Sequence, residues 1–277
     1  MHTSDSVRTR YPTSRAEGIE YLFLESTKLR EMDIDKHSFI VSSPMVSYNG
    51  FDLDKMLPRI DLPKPLEPER LGSFGKVVLK SAEIVERFKE SPTDAIDDRS
   101  LIDLKVLSTV LFYSFAVLSV KKLDEGIIFK KSYEPPTRFH NLTLWIYPRR
   151  VRDLPMMLYK YNDKEHSLHA ICKVGERPMS NLFARSLGVN SWIYLASVLI
   201  FIIANINDAI SYFGSRGLRY LLIEVGEVLQ NIRLVATAVG LRTASTSAFV
   251  DDFINQSLNV DYPNFAVMSI VGLGAQS

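Results

Sequence analysis

The stretch from Ser211 to Leu241, SYFGSRGLRYLLIEVGEVLQNIRLVATAVGL, is typical of one long helix that is apolar on almost every face. A helix of that kind has to be buried in the fold. It nevertheless carries Glu224, Glu227 and Asn231 at spacings i, i+3 and i+7, which place them in one stripe. Burying such groups without partners costs several kcal/mol. The stripe therefore predicts a subunit contact or solvated edge, or alternatively a polar ligand beside the helix.

A second apolar run, WIYLASVLIFIIA at 192–204, has 13 residues, whereas a membrane-spanning helix needs roughly 20. The run is rich in Ile, Val, Phe and Tyr, and it predicts a strand buried on both faces. The net charge of +1 gives no indication of a nucleic-acid groove or a polybasic membrane patch. The single cysteine, Cys172, excludes a disulfide framework within the chain. The polar N-terminus lacks a signal-peptide core, and we expect a cytoplasmic protein.

Strand and helix patterns alternate irregularly along the chain, which favours an α+β class around one sheet. The patterns predict a buried helix over 100–120 and the long helix over 217–239, with Gly240 ending the long helix in the left-handed conformation. They predict strands at Leu142–Pro148 and Phe265–Leu273, and a β-hairpin over Leu158–Cys172. We expect a disordered N-terminus at 1–17, a helix and Pro-rich arm at 18–75, and the main domain at 76–277.

His166 and His169, with Glu165 and Cys172 near them in sequence, are residue types that bind metal ions. Residues three apart on a strand point to opposite faces of the sheet, so the two histidines do not converge. The sequence predicts no metal site.

Several segments together resemble the SagB-type azoline dehydrogenases, flavin enzymes of thiazole/oxazole peptide biosynthesis within the nitroreductase-like superfamily. The long helix resembles their signature helix through a larger set of residues: Arg216, Gly217, Arg219, Glu224, Gly226, Gln230, Asn231, Gly240 and Leu241. YLFLESTK at Tyr21–Lys28 resembles an N-terminal family segment. LPMMLYKYNDKEHSLHAI resembles the family hairpin, and AFVDDFINQSLNVD resembles the segment after the helix.

The resemblance implies a nitroreductase-like fold, with a central mostly antiparallel sheet flanked by helices. It also implies an obligate dimer with FMN at the subunit interface. The polar stripe would then find partners across that interface and near the flavin, with Gln230 and Asn231 among the cofactor-binding residues. Glu227 takes a place that is often His in the family. A ribosomally made precursor peptide is the implied substrate.

Three departures from the family pattern bear on the cofactor and the chemistry. The flavin loop, where small residues let the backbone approach the ring, reads PTRFHNLT and places bulky Phe139 and His140 there. The phosphate-binding region reads SAEIVERFKE, which leaves Arg87 and Lys89 as phosphate ligands, with Arg138 as a replacement from the altered loop. The microcin-type members of the family carry a Lys-Tyr pair just before the signature Arg, and the resemblance implies that this pair removes a proton. In this chain the matching residues are Tyr212 and Phe213.

Two functions follow from this pattern. The first is an FMN-dependent oxidoreductase that dehydrogenates an azoline or related backbone unit of a ribosomal peptide, with Tyr212 as its acid/base residue, activated by Arg216 or Arg219. The second is a catalytically silent scaffold or substrate-binding subunit, paired in a heteromer with an active relative.

Overall fold

A seven-stranded antiparallel sheet forms the centre of the computed structural model, in the order β1-β6-β5-β4-β7-β9-β8. The structure describes residues 59–64, 101–123, 126–137, 140–172 and 196–275, with the backbone alone at 122–123, 126–128, 172 and 275. The strands are β1 Arg59–Asp61, β2 Val117–Leu123, β3 Gly126–Lys131, β4 Leu142–Pro148, β5 Leu158–Asn162, β6 Ser167–Cys172, β7 Val198–Asn205, β8 Leu241–Thr246 and β9 Phe265–Ala275. The helices are α1 Leu104–Phe115, α2 Ile206–Phe213, α3 Arg216–Ala238 and α4 Asp251–Ser257.

Strand β7 lies in the middle of the sheet and is buried along its whole length, as its apolar run predicts. Its side chains alternate between two hydrophobic clusters: Ile200 and Ile202 face one, and Phe201 faces the other. The first cluster includes residues of α1 and α3, and the second includes residues of α4. Helices therefore cover both faces of the sheet, which confirms the predicted α+β class with an antiparallel central sheet flanked by helices.

The strands at 142–148 and 265–273 and the hairpin over 158–172 are also confirmed. The helix expected over 100–120 is partly wrong, because α1 ends at Phe115 and Val117 already begins β2. Ala116 is extended, and the following residues pair with β3 in a separate two-stranded sheet. The apolar run there fits both periods, so periodicity alone could not find the boundary.

Helix α3 begins and ends at glycine-dependent turns. Gly214 precedes it with φ +58°, and Gly240 follows it with φ +82°, as expected for a left-handed helix end. Gly217 lies against α2, where an added Cβ would come within 2.1 Å of the Ala209 carbonyl oxygen. Glycine at that position allows the two helices to pack closely.

Helix α3 departs from the sequence interpretation in one respect, because it is not buried all round. Leu222 and Ile223 remain 49% and 46% exposed in the chain. Gly226 lies one turn further along the same exposed face. Within the described part of the chain, no helix is long and apolar enough to cross a membrane.

The described part of the Pro-rich arm belongs to the main sheet. Strand β1 pairs with β6, and Ile60 lies opposite Leu168. The predictions for residues 1–17 and for the helix of the 18–75 segment concern residues outside the described ranges. The division into 1–17, 18–75 and 76–277 remains a proposal.

Candidate functional site

The connection from β3 to β4 begins against the middle of α3. Asn231 Nδ2 donates to the Ser132 carbonyl oxygen at 3.2 Å, and the Tyr133 hydroxyl donates to Glu224 Oε1 at 2.7 Å. We call this contact, of Lys131–Glu134 with Glu224–Asn231, the seam. The residues that the sequence places in the flavin loop follow it directly in the chain.

Lys131 is the buried cation of the seam. Its side chain is 0% exposed, and Nζ lies 2.8 Å from Asp163 Oδ2. Nζ also donates to the Tyr133 hydroxyl at 3.4 Å and lies 3.8 Å from the centre of the Phe115 ring. A buried charge needs a partner of this kind, because desolvating it alone would cost several kcal/mol.

Glu224 shares this cation with Asp163, and its burial dominates its titration. Burial raises the pKa of Glu224 to about 7, although Lys131 and the hydrogen bond from Tyr133 oppose the rise. Burial and then Glu224 itself raise the pKa of Tyr133, so the phenol stays protonated and donates. Burial opposes ionisation of Asp163, yet Lys131 brings its pKa below the usual value. One proton on Glu224 therefore makes this buried group electrically neutral.

Three side chains beside the buried cluster carry buried polar atoms that lack a hydrogen-bond partner among the described residues: Ser132 Oγ, Glu227 Oε2 and both ring nitrogens of His140. Burial raises the pKa of Glu227, and the nearby Glu134 raises it further. Burial, followed by Lys131, lowers the pKa of His140 to about 3, so its ring is neutral at physiological pH. A hydroxyl, a carboxyl and a neutral imidazole together offer both donors and acceptors.

This donor set fits the polar edge of a flavin ring, which also carries both donors and acceptors. Buried polar groups are normally satisfied, and a polar ligand bound beside α3 would satisfy these atoms. The cations expected at the phosphate, Arg87, Lys89 and Arg138, lie outside the described residues.

The structure brings together some of the expected site residues and not others. Asn231 lies at the seam, but its amide nitrogen is used by Ser132. Gln230 is exposed and accepts a 3.5 Å hydrogen bond from Arg233. Tyr212 is half-buried on α2, before the start of α3. Arg216, the first residue of α3, is therefore about 12 Å from Glu224 along the helix axis, at 1.5 Å per residue.

The sequence interpretation of the polar stripe needs a correction. Glu224 and Asn231 find their partners within the same chain, so neither requires a second subunit or a ligand to be satisfied. Sequence reasoning missed Lys131, Tyr133 and Asp163. Tyr133 and Glu224 are 91 residues apart in the sequence, and no local sequence pattern predicts a contact over that separation.

His166 has a structural role against the middle of α1. Its Nε2 lies 2.8 Å from Ser108 Oγ and its Nδ1 lies 2.7 Å from the Tyr161 hydroxyl. Ser108 Oγ also donates to the Pro63 carbonyl oxygen, which fixes the end of the arm. His169 contacts Ser167 on the β6 strand. No cluster of three potential metal-binding side chains occurs in the ranges that the structure describes.

An antiparallel sheet with helices on both faces defines an α+β protein, and comparison with solved structures shows that its fold is nitroreductase-like. Two solved nitroreductase-like proteins share the fold. The match to the Anabaena variabilis protein has a TM-score of 0.63 at 18% identity. It covers 97% of this chain and 49% of the Anabaena chain. The match to the Ralstonia eutropha protein has a TM-score of 0.59 at 15% identity, and covers 85% of this chain and 94% of the Ralstonia chain. This chain thus spans about half the length of the Anabaena protein.

The fold also matches a chain of the E. coli microcin synthetase McbBCD, solved with truncated pro-MccB17 bound. Its TM-score is 0.56 at 15% identity, over 100% of this chain and 99% of that one. A nitroreductase-like protein of Methanocaldococcus jannaschii is 30% identical over 165 residues, which are 59% of this chain and 78% of the relative. Residues 137–275 match the family described as Nitroreductase family. The chain belongs to the nitroreductase family, whose members are generally FMN-dependent oxidoreductases.

Proposed function

We propose that this protein is an FMN-dependent dehydrogenase of the SagB type, which oxidises an azoline or related backbone unit in a ribosomally made peptide. The observation that carries the proposal is the set of unpartnered polar atoms on Ser132, Glu227 and His140, beside the segment that resembles the flavin loop. The likeness to a McbBCD chain over the full length of both chains is consistent with a peptide substrate and a heteromeric assembly.

Bound FMN would supply a two-electron acceptor for hydride. The residues of this chain that would hold it are Ser132, Glu227 and His140 at the ring, and Arg87, Lys89 or Arg138 at the phosphate. His140 would present a neutral ring, because burial and Lys131 prevent its protonation near pH 7. Asn231 would act on the ring through the Ser132 backbone, which it holds. Gln230 remains a proposed ligand on the exposed side of α3.

Tyr212 is the candidate acid/base residue at the position where the resembled family has its Lys-Tyr pair. Among the described residues, Phe213 packs edge-to-face on Tyr220 at 5.2 Å, and Arg216 Nε donates to the Tyr220 hydroxyl at 3.4 Å. These contacts hold the junction of α2 and α3 in place, and Tyr212 lies on that junction.

The experiment that tests the function uses the full chain purified from a flavin-replete host. We expect a yellow protein whose flavin absorbance follows it through gel filtration. We also expect it to convert a synthetic peptide carrying one thiazoline ring to a product lighter by two hydrogens, read by mass spectrometry. A colourless protein that leaves this peptide unchanged would contradict the proposal.

The second candidate function is a silent scaffold or substrate-binding subunit in a heteromer. His140 favours it, because the ring fills a position where the resembled family has small residues and packs 5.9 Å from the Phe129 ring. Under this alternative, the protein would bind the precursor peptide without retaining flavin. Co-purification with an active relative, together with loss of product when this chain is deleted, would distinguish it from the enzyme.

A further inference from the structure

The buried group Lys131–Asp163–Tyr133–Glu224 is more than the fold requires. Buried ion pairs are weak contributors to stability, and apolar residues of similar volume often replace them without loss. Here a second carboxyl group, Glu224, is added to a pair that Lys131 and Asp163 already complete. The additional carboxyl group is 2% exposed and lies on the helix that borders the candidate flavin site.

Resting on the function proposed above, we propose that the proton released in the oxidation leaves the site through Glu227 and is stored on Glu224. Glu227 is one helical turn from Glu224 on the same face of α3. Its Oε2 is buried and lacks a partner within the described residues. In this arrangement Glu227 serves as the catalytic base at the substrate instead of as a ligand of the flavin ring, and Glu224 receives the proton from it.

The reaction balances with these groups. A thiazoline ring would lose hydride from one carbon, and bound FMN would supply the two-electron acceptor for it. The neighbouring carbon loses a proton to the Glu227 carboxylate, and a carbon–carbon double bond forms between the two carbons. The proton then passes to Glu224 in its ionised form, which is well populated near pH 7 because its pKa is about 7. This restores the Glu227 carboxylate, and Glu224 must release the proton to solvent before the next turnover.

We call Glu224, as the residue that holds the released proton, the store. Tyr133 and Lys131 are positioning residues for it. Tyr133 donates to Glu224 Oε1 at 2.7 Å, and Lys131 in turn donates to the Tyr133 hydroxyl at 3.4 Å. The charges facing Glu224 are Lys131 and Asp163 from the adjoining strand and turn, and Glu227 from its own helix. Glu134 faces Glu227 from the connection between β3 and β4. A proton acceptor works best when its pKa is near the working pH, and that of Glu224 is raised to about 7.

The buried group around Glu224 contains the kinds of side chain that are missing at the position of the family's Lys-Tyr pair. Tyr212 and Phe213 replace a Lys-Tyr pair and bring no amine. Lys131 and Tyr133 place an amine and a phenol together elsewhere, at the seam. Glu227 and Tyr212 are therefore competing candidates for the base, and they can be separated by experiment.

The first test needs no substrate. The midpoint potential of the bound flavin is measured against pH in the wild-type holoprotein, in Glu224→Gln and in Glu165→Gln. Glu165 is an exposed carboxyl group paired with Arg59 and serves as the control. We expect a change of slope near pH 7 in the wild type and in Glu165→Gln, and its loss in Glu224→Gln.

Tyr133→Phe gives a directional version of this test. The hydrogen bond from Tyr133 lowers the pKa of Glu224 against the larger effect of burial. Removing that hydroxyl should therefore move the change of slope to higher pH, while the ring keeps its 5.8 Å stacking on Phe115. A change of slope that stays in place would overturn the store, and this variant decides the question if Glu224→Gln does not fold.

The second test follows oxidation of the thiazoline peptide. We expect Glu224→Gln to keep its flavin, to lose at least about tenfold in kcat and to lose the limb of the pH–rate profile near pH 7. If wild-type protein is active and Glu224→Gln matches it in rate and profile, the store is wrong and the proposed function stands. If wild-type protein holds no flavin and forms no thiazole, the proposed function falls, and the store falls with it.

Discussion

At the scale of single residues, the seam shows how a carboxyl group can sit inside a hydrophobic core. Glu224 is accommodated by a phenol that stays protonated and by a lysine whose charge it shares with Asp163. Neutrality of the group requires a proton on Glu224, which couples folding to pH. His140 shows the opposite coupling, because its buried ring is held neutral.

The first prediction concerns the stability of Glu224→Gln. In the folded protein Glu224 keeps its proton up to about pH 7, whereas the ordinary carboxyl value is 4.5. The folded state therefore binds more protons between these values, and the free energy of unfolding falls as pH rises from 4.5 to 7. The total effect is about 3 kcal/mol at 1.36 kcal/mol per pKa unit. Glu224→Gln should lack this loss in urea unfolding.

Each variant is compared with wild type at the same pH, because His140 contributes an opposite trend below pH 6.5. Glu165→Gln, an exposed carboxyl group, should keep the wild-type pH dependence. If Glu224→Gln and the wild type lose stability in parallel between pH 5 and pH 8, the carboxyl group of Glu224 does not titrate as described.

The second prediction concerns Tyr212→Phe. If Tyr212 is the acid/base residue, the substitution should reduce turnover of the thiazoline peptide by ~10²–10⁴, the usual contribution of one such group. Flavin content should not change, because Tyr212 is not among the expected flavin ligands. Full activity of Tyr212→Phe, beside a Glu227→Gln variant that is slow although it keeps its flavin, would assign the base to Glu227.

At the scale of elements, α3 carries two glycines, Gly217 and Gly226, with different surroundings. Its first turn packs on α2 through Gly217, where the approach of the backbones leaves no room for a side chain. Gly226 lies in mid-helix, with open space around it in the chain. Glycine in a helix interior is unfavourable by about 1 kcal/mol relative to Ala, so Gly226 is not there for the stability of the isolated helix.

The third prediction compares these two glycines. Gly217→Ala should destabilise the protein by about 1–3 kcal/mol, because its Cβ would come 2.1 Å from the Ala209 oxygen and the helices must move apart. Gly226→Ala should instead stabilise the isolated chain by about 1 kcal/mol. Thermal unfolding of the two variants measures both effects, and equal losses of stability in both would contradict this account of the α2–α3 contact.

At the scale of the whole molecule, the exposed face of α3 is the proposed subunit interface. Leu222 and Ile223 present apolar surface there, and Gly226 allows a close approach between helices. The polar residues that first indicated a second subunit do not require one, since Glu224 and Asn231 are satisfied within the chain. The apolar residues of this face now carry the proposal.

The fourth prediction is that the protein is a dimer or heteromer with an interface above ~2,000 Å², the range of obligate assemblies. Replacing both Leu222 and Ile223 by Glu should give a monomer by light scattering, because burying two unpaired carboxylates in an interface is costly. Leu118→Glu, at a residue 45% exposed on β2, is the control and should leave the assembly unchanged. A wild-type monomer at micromolar concentration would contradict the prediction.

The sequence by itself determined the class of the fold, because its strongest signals are local. Each of these signals depends on only a few consecutive residues. They are the apolar run of β7, the turn residues of the β5–β6 hairpin and the glycine after α3. The motifs of α3, which are also local, predicted a nitroreductase-like protein, and the match to the family confirms that prediction. The boundary between α1 and β2 was missed because its apolar run satisfies two periods and the pairing with β3 decides between them.

Only the tertiary structure decided what the polar residues of α3 contact. Tyr133 reaches Glu224 from the connection after β3, and Lys131 contacts Tyr133 and also Asp163, which lies in the turn between β5 and β6. A shifted pKa depends on burial and on charges a few ångströms away, and these distances arise from packing between elements far apart in the chain. The sequence could therefore identify Glu224 as a buried carboxyl group that needed a partner, while the fold alone supplied that partner.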